Sequence, residues 1–272
     1  MAPGLQKMPA AVIIQGMTVM TLLRHFALLW ISFFTPWAGA EEVRVFAAGA
    51  AKHAVEALAP VFQKATGHTL RPSYDTVGAL RDRVLKAAPG EAADLVILSD
   101  AALASLRAAD RLSAMPALKM GRVVVALAVK QGAPLPDLSN TEALRQALLA
   151  AASVAYGDPA RGATAGTHFA KVIDALGLRD ELRDKITVLP FGVDVIVGVA
   201  EGRYGLGISQ SSEIMQHPGI QIAGPLPAPH GLSTGYGAAL ASDSAAARKL
   251  QIFLGGEEAA REFTSSGFIA PP

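Results

Sequence analysis

Short apolar runs alternate with longer amphipathic stretches along this chain of 272 residues. Runs such as Ala93–Asp100 and Arg122–Lys130 are nearly continuous in apolar residues, which is typical of strands buried on both faces. The stretch Thr167–Gly177 instead places apolar residues at i, i+3, i+4 and i+7 and ends in glycine, which predicts an amphipathic helix. Regular alternation of the two patterns predicts an α/β fold with mostly parallel sheets.

Proline and glycine refine the predicted elements. Pro60 lies inside the helical stretch Ala54–Gly67 and predicts a kink or a break there. Pro72 weakens Thr69–Tyr74 as a strand candidate. The helical stretch Ala246–Gly256 is predicted to be the last element of the chain.

Two proline-rich stretches are the best places for the chain to cross between lobes. They are Gln131–Leu138 and Ala223–Gly231. Their positions predict a second lobe made of residues 125–222, inserted into a first lobe made of residues 41–124 and 223–272.

The N-terminal forty residues have the features of an export signal. A basic pair, an apolar run over Phe26–Phe34 and the small residues Ala38–Ala40 follow one another in that order. The apolar run is shorter than the roughly 20 residues that cross a bilayer, although an uncleaved anchor stays an alternative. We therefore expect a signal peptide over residues 1–40, cleavage after Ala40 and a periplasmic product. The start codon could be Met1, Met17 or Met20.

Charge and cysteine content exclude several function classes. The chain has 24 Lys and Arg against 23 Asp and Glu. Lys7 and Arg24 fall in the first forty residues, which contain no Asp or Glu, so the remainder has 22 basic and 23 acidic residues. A near-neutral chain without basic runs is a poor nucleic-acid binder. The absence of cysteine excludes zinc–thiolate sites, a cysteine nucleophile and a lipid-modified cysteine.

Four strand-to-helix loops share one character, because they consist largely of small residues. They are Ala47–Ala54, Ser73–Leu80, Asp158–His168 and Ile208–Glu213. Ligands of open α/β sheets bind at the carboxyl ends of strands, where helix N-termini favour anions. Two loops come from each predicted lobe, so we expect a cleft that grips an anion from both sides.

The polar side chains of these loops have structural interpretations as well. Glycine and alanine after a strand also permit tight packing, and Thr164 could simply cap the following helix. Arg161 is the arginine of the four loops, and its planar guanidinium suits a carboxylate or a phosphate.

Six segments of the chain, read together, resemble the periplasmic molybdate-binding family. They are VRVFAAGAAKHAVEALAPVF, ADLVILSD, RVVVALAVK, AYGDPARGATAG, YGLGIS and the terminal SGF. The family consists of solute receptors of ABC importers, and the resemblance runs from Val43 to the C-terminus. It implies a type 2 periplasmic binding protein fold, with two α/β lobes that close on a tetrahedral oxyanion by a hinge. It also implies a partner permease in the inner membrane. From the scattered histidines we expect no metal, and we expect no cofactor.

The resemblance and the loops together give the predicted ligand-binding residues. They are Gly49, Ala50, Ala51, Thr76, Val77, Gly78, Arg161, Thr164, Ala165, Gly166, Val193 and Gln210. Two of them depart from the family pattern, because Ala50 stands where a serine is common and Gln210 where a tyrosine is frequent. Molybdate receptors generally use neutral donors, so Arg161 indicates another ligand, such as a carboxylate or polycarboxylate. The identity of the anion stays open at this point.

The alternative to a receptor is an enzyme on the same scaffold. The chain has no HExxH, GxSxG or Walker-type motif, and its histidines show no metal-ligand spacing. It is nevertheless similar, in its arginine-bearing third loop, to the periplasmic aconitate isomerases. Such a reaction needs a base, for which Asp75, His53 or His168 are candidates, with Arg161 holding the substrate. The residues favour the receptor, since none has diagnostic catalytic spacing.

Overall fold

Strands and helices alternate along residues 39–88, 91 and 93–271, the part of the chain that this computed structural model describes. The strands are β1 (Glu42–Ala48), β2 (Thr69–Asp75), β3 (Leu95–Ser99), β4 (Leu118–Lys130), β5 (Val154–Gly157), β6 (Ile186–Leu189), β7 (Leu206–Gln210), β8 (Ile220–Pro225) and β9 (Ser233–Leu240). The helices are α1 (Lys52–Thr66), α2 (Val77–Lys86), α3 (Asp100–Ala108), α4 (Thr141–Ala150), α5 (Thr164–Ala175), α6 (Gly192–Ala200), α7 (Ser211–Met215), α8 (Ala245–Leu254) and α9 (Glu257–Ser265). This alternation confirms the predicted α/β class.

The predicted signal peptide, its start codons and the possible anchor lie outside the described residues, apart from Gly39 and Ala40. Among the residues that are described, no helix is long and apolar enough to cross a membrane.

The strands are hydrogen-bonded in the order β2-β1-β3-β9-β4-β7-β5-β6, and β8 also pairs with β4. Each end of this order is a set of three parallel strands, β2-β1-β3 at one end and β7-β5-β6 at the other. The centre is antiparallel, because β9 runs against both β3 and β4, and β4 runs against β7 and β8. The carboxyl ends of the parallel strands carry the four predicted loops.

The apolar side chains pack into separate clusters around the first and the second half of β4. One cluster uses residues 43–123 and 236–268, and the other two use residues 125–226. The change falls between Val123 and Val125, where the pairing of β4 passes from β9 to β7. We call the part around the first cluster the first lobe and the part around the other two clusters the second lobe. The predicted lobe boundaries, residues 41–124 with 223–272 and residues 125–222, stay a prediction.

The structure excludes a break at Pro60 and adds a helix that the sequence did not predict. The chain does not break at Pro60, because α1 continues through this residue on its exposed face and ends only at Gly67, which has a left-handed conformation. The last helix is α9, which the sequence analysis missed. Only Ala259 and Phe263 of its nine residues are buried, so few apolar residues mark this helix in the sequence.

Replacing Pro60 with alanine is expected to raise the free energy of unfolding by about 1 kcal/mol. An interior proline lacks the N–H that would bond to the Glu56 carbonyl, and this cost exceeds its benefit in restricting the unfolded chain. Urea denaturation would measure the change. Gln63→Ala, at another exposed position of α1, is the control and should stay within about 0.5 kcal/mol of the wild type. An unchanged or lower stability of the proline variant would contradict this account.

Candidate functional site

A cavity of about 370 Å³ lies where the four predicted loops meet. It is lined from the first lobe by the end of β1, the end of β2 and the first turns of α1 and α2. The second lobe contributes the starts of α5 and α6 and the end of β7. This size is at the lower end for sites of small organic ligands.

Most of the predicted site residues line this cavity. The predicted ligand-binding residues that do so are Gly49, Ala50, Thr76, Val77, Thr164, Ala165, Gly166, Val193 and Gln210. Of the predicted bases, Asp75 and His53 also line it. Residues from distant parts of the chain therefore meet at one cavity, as expected for loops at the carboxyl ends of strands.

Four predicted residues are not among those lining the cavity: Ala51, Gly78, Arg161 and His168. Ala51 is fully buried in the core of the first lobe. The ring Nε2 of His168 lies 2.7 Å from the carbonyl oxygen of His230. His168 thus has a structural partner away from the cavity, whereas Gly78 and Arg161 take part in contacts beside it.

The two lobes touch at the edge of the cavity, between the start of α2 and the loop before α5. The Thr76 hydroxyl donates to the backbone carbonyl of Arg161, and the Gly78 N–H donates to the carbonyl of Gly162 at 3.3 Å. A Cβ on Gly78 would lie 2.8 Å from the Gly162 Cα, closer than real side chains come. The two glycines allow this backbone approach, so the cleft is closed at this edge.

Arg161 reaches from the second lobe to the first. Its Nη2 lies 2.9 Å from the Asp75 carboxylate, and its guanidinium lies 4.8 Å from the centre of the Phe191 ring. Both of these partners line the cavity. The positive charge of Arg161 is therefore held beside the cavity and matched by Asp75.

Several helices begin at the cavity without a side-chain cap. The residues that precede α1, α5 and α6 make no side-chain hydrogen bond to the first turn. The cap position of α5 is Ala163, so the structural interpretation of Thr164 as the cap is wrong. By contrast, Thr76 caps α2 by accepting from the Ala79 N–H at 3.2 Å. First-turn N–H groups of α5 and α6 thus remain for a ligand, and they favour negative charge. At the start of α1, the Lys52 N–H is instead bonded to the Gly49 carbonyl.

Buried polar side chains without partners also line the cavity. The Tyr74 hydroxyl, the Gln210 Nε2 and the Ser212 hydroxyl have no hydrogen-bond partner among the described residues. Gln210 and Ser212 are only 3% and 2% exposed. A buried donor without a partner costs about 1–3 kcal/mol, so such groups are usually satisfied by a ligand or water. All three can donate a hydrogen bond to an anion.

Glu213 also lines the cavity, although it is not among the site residues predicted from the sequence. Its carboxylate accepts from the Ser209 hydroxyl and, at 3.5 Å, from the Gln210 N–H. Burial raises the pKa of this carboxyl, and these two hydrogen bonds only partly offset the effect. In the sequence, a glutamate three residues after a helix cap indicates a capping box. This structural role explains the position of Glu213, so the sequence gives no sign that the residue also lines a site.

Tyr236 is a second lining residue that the sequence did not reveal, because it comes from β9 rather than from one of the four loops. Burial raises the pKa of its hydroxyl, and a hydrogen bond with Thr164 opposes this effect. Burial likewise raises the pKa of the Tyr74 hydroxyl. Both tyrosines are therefore neutral donors at physiological pH.

Comparisons with known proteins agree on a family and a fold. The model of the bacterial extracellular solute-binding protein family matches residues 43–269. The chain is 34% identical to an aconitate isomerase from a Pseudomonas species over 250 residues, which cover 88% of this chain and 92% of that protein.

Two solved structures illustrate the fold. The periplasmic molybdate-binding protein of Azotobacter vinelandii has a TM-score of 0.68 at 21% identity, covering 85% of this chain and all of that one. The sulfate-binding protein of Mycobacterium tuberculosis has a TM-score of 0.65 at 17% identity, covering 85% and 87%. These likenesses confirm the predicted two-lobe fold.

Proposed function

Because this chain belongs to the bacterial extracellular solute-binding protein family, we propose that its cavity binds a small organic polycarboxylate. The observation that carries this proposal is the set of unpartnered buried donors on Tyr74, Gln210 and Ser212, three residues of the cavity wall, together with the uncapped helix starts beside them. Several charge-assisted hydrogen bonds, at roughly 1.5–3 kcal/mol each, suffice for the −8 kcal/mol or so of a micromolar affinity.

The size of the cavity favours an organic acid over a single inorganic oxyanion. A cavity of about 370 Å³ falls within the range of roughly 300–1,000 Å³ that is typical of sites for small organic molecules. A tetrahedral oxyanion has only five heavy atoms and would leave many of the donors unpartnered. A polycarboxylate, in contrast, places several oxygens at different walls, which matches donors that come from both lobes.

In its receptor form, the proposed function is delivery of this anion to an ABC permease in the inner membrane, from the periplasm. Ligand binding favours the state in which the lobes touch, because donors from both lobes must reach one molecule. The contacts of Thr76 with Arg161 and of Gly78 with Gly162 belong to that closed state.

Calorimetry on the chain from Glu41 onward would test the binding proposal. We would titrate it with citrate, both aconitate isomers, molybdate and sulfate. We expect a polycarboxylate to bind with micromolar affinity and the inorganic anions to bind at least about tenfold more weakly. Tighter binding of molybdate or sulfate would contradict the proposal.

A second candidate function is isomerisation of a bound tricarboxylate. It is favoured by the 34% identity to an aconitate isomerase and by the carboxyl of Glu213 in the cavity wall. The chemistry is a proton shift along three carbons. One C–H bond breaks at a CH₂ carbon, the electron pair spreads over the three-carbon unit, and a proton returns to its other end, so the double bond moves without any oxidant.

Arg161 is proposed to act on affinity through its ion pair with Asp75. Both side chains are partly exposed, at 39% and 21%, so the pair is worth about 0.5–1 kcal/mol. Arg161→Ala and Asp75→Asn should each weaken binding by about two- to fivefold, and the double variant should be no weaker than either.

Direct contact between Arg161 and the ligand, as the sequence suggests, gives a different result in the same double-mutant cycle. Arg161→Ala would then cost about tenfold or more, while Asp75→Asn would tighten binding by releasing the guanidinium. That outcome would contradict the proposed role of Arg161 as a link between the lobes.

A further inference from the structure

The Glu213 carboxyl lies where both lobes come together on the cavity. A Cβ on Gly49, in the first lobe, would lie 2.7 Å from Glu213 Oε1, and a Cβ on Gly192 would lie 2.9 Å from its carboxyl carbon. Any side chain at these two positions would meet the carboxyl. The missing side chains of Gly49 and Gly192 thus leave the space that this carboxyl occupies.

No basic side chain of the described residues forms an ion pair with Glu213, in contrast to Asp75, which is paired with Arg161. Its Oε2 is held by the Ser209 hydroxyl and the Gln210 N–H, both from the second lobe. A carboxyl in such surroundings exchanges its proton more easily near neutral pH than an ion-paired one. The Ser209 contact fixes its orientation.

Building on the isomerase candidate above, we propose that Glu213 is the acid–base group of the cavity. In its ionised form it accepts the proton from the CH₂ carbon of the bound tricarboxylate. The electron pair of the broken C–H bond moves into the three-carbon unit, and the protonated Glu213 then returns the proton to the far carbon. The carboxylate is regenerated, so the cycle balances with no other reactant.

The three bases suggested by the sequence are less suitable. Asp75 is engaged by Arg161 and by the Thr76 N–H at 2.8 Å. His168 is bonded to the His230 carbonyl and does not line the cavity. His53 does line the cavity, but it is an exposed residue of the first turn of α1.

A pH dependence must also consider the other groups around Glu213. Those that line the same cavity are Lys52, His53, Glu56, Tyr74, Asp75 and Tyr236. Asp194 lies in the first turn of α6, which packs against α7. The Lys52 Nζ lies 3.9 Å from the Glu56 Oε1, so the positive charge of Lys52 is balanced by the negative charge of Glu56. The two tyrosines stay protonated because burial raises the pKa of each hydroxyl.

The test is isomerisation of cis-aconitate, followed by NMR, for the wild type, Glu213→Gln and Glu258→Gln. Glutamine keeps the size of the side chain but cannot accept the proton, so isomerisation should fall at least about 100-fold. Calorimetric affinity for aconitate should change less than about fivefold. Glu258 is exposed on α9, and its variant should behave as the wild type.

The outcomes separate this inference from the functions on which it rests. Wild-type binding without isomerisation would overturn both the isomerase candidate and the role of Glu213, while the receptor proposal would stand. Isomerisation that persists in a folded Glu213→Gln would overturn the role of Glu213 alone.

The wild-type pH profile covers the case in which the glutamine variant does not fold. Turnover should rise as Glu213 loses its proton, at a pH above that of an ordinary glutamate, because burial raises its pKa. A turnover that does not change with pH between about 4 and 8 would overturn the proposal.

Discussion

Replacing Gly166 with alanine is expected to abolish ligand binding and to lower the free energy of unfolding by about 3 kcal/mol. A Cβ at this position would overlap the carbonyl oxygen of Gly157 and lie 2.7 Å from its carbonyl carbon. Gly157 ends β5 and Gly166 lies in the first turn of α5, so the clash is between two backbones. Relief requires α5 to move away from the sheet, and misfits of this kind typically cost 1–3 kcal/mol or more.

The loss of binding follows from the same movement. Thr164 and Ala165 line the cavity at the start of α5, together with N–H groups that have no side-chain cap. A shift of this helix start would displace all of these donors from the ligand. Calorimetry and urea denaturation of the same variant would measure the two effects.

Gly198→Ala is the matched control for this experiment, since it also adds one methyl group inside a helix. Its Cβ would meet the ring of Tyr204, with the nearest atom at 2.5 Å. Tyr204 is only partly buried and can move, so the cost should be below that of Gly166→Ala and the affinity should stay near the wild-type value. Equal effects of the two substitutions would contradict the backbone-clash argument.

Asp94→Asn is expected to lower the free energy of unfolding by about 3 kcal/mol at neutral pH. The carboxylate, which is 8% exposed, accepts from the Arg44 N–H at 2.9 Å and from two nitrogens of its guanidinium, both at 3.1 Å. Ser242 donates to it at 3.0 Å, from a residue 148 positions away. Asparagine loses the charge and presents an amide group to donors, and broken charge-assisted bonds of this kind cost about 1.5–3 kcal/mol or more.

The same site predicts a sensitivity to acid. Burial alone would raise the pKa of Asp94, but the hydrogen bonds from Arg44 and Ser242 outweigh it and the pKa is lowered. A lowered pKa means that the ionised form stabilises the fold at neutral pH, and that this contribution is lost as the pH falls through the folded-state value. The stability difference between wild type and Asp94→Asn should therefore shrink in acid.

Denaturation at neutral pH and at a pH below the ordinary range of aspartate would measure this. Glu42→Gln serves as the control, because it breaks an exposed pair with Arg71 and should cost less than about 0.5 kcal/mol. A difference for Asp94→Asn that stays constant with pH would show that the charge contributes nothing.

The sequence was most informative where a residue's role depends on its immediate neighbours in the chain. The apolar periods predicted the strands and most helices, and small residues after strands predicted loops that do meet at one cavity. Of the two alternatives predicted at Pro60, a break does not occur, because an exposed helix face tolerates the proline. The sequence did not predict α9, because this short helix buries only two residues.

The sequence could not assign the charged and polar side chains of the site. Arg161 and Asp75 are 86 positions apart, and their ion pair changes Arg161 from an unpaired cation into a link between the lobes. Glu213 and Gly49 meet only because the two lobes touch. His168, a candidate base in the sequence, is bonded to His230 instead.

Local patterning alone therefore determined the fold class, the positions of the four loops and a preference for anions, since these follow from hydrophobic period and from the polarity of helix starts. Only the tertiary structure decided that the donors of Tyr74, Gln210 and Ser212 have no partner, that Arg161 pairs with Asp75, and that the carboxyl of Glu213 is desolvated. Those properties depend on distances between atoms from different loops, and electrostatic energy changes steeply with such distances and with burial.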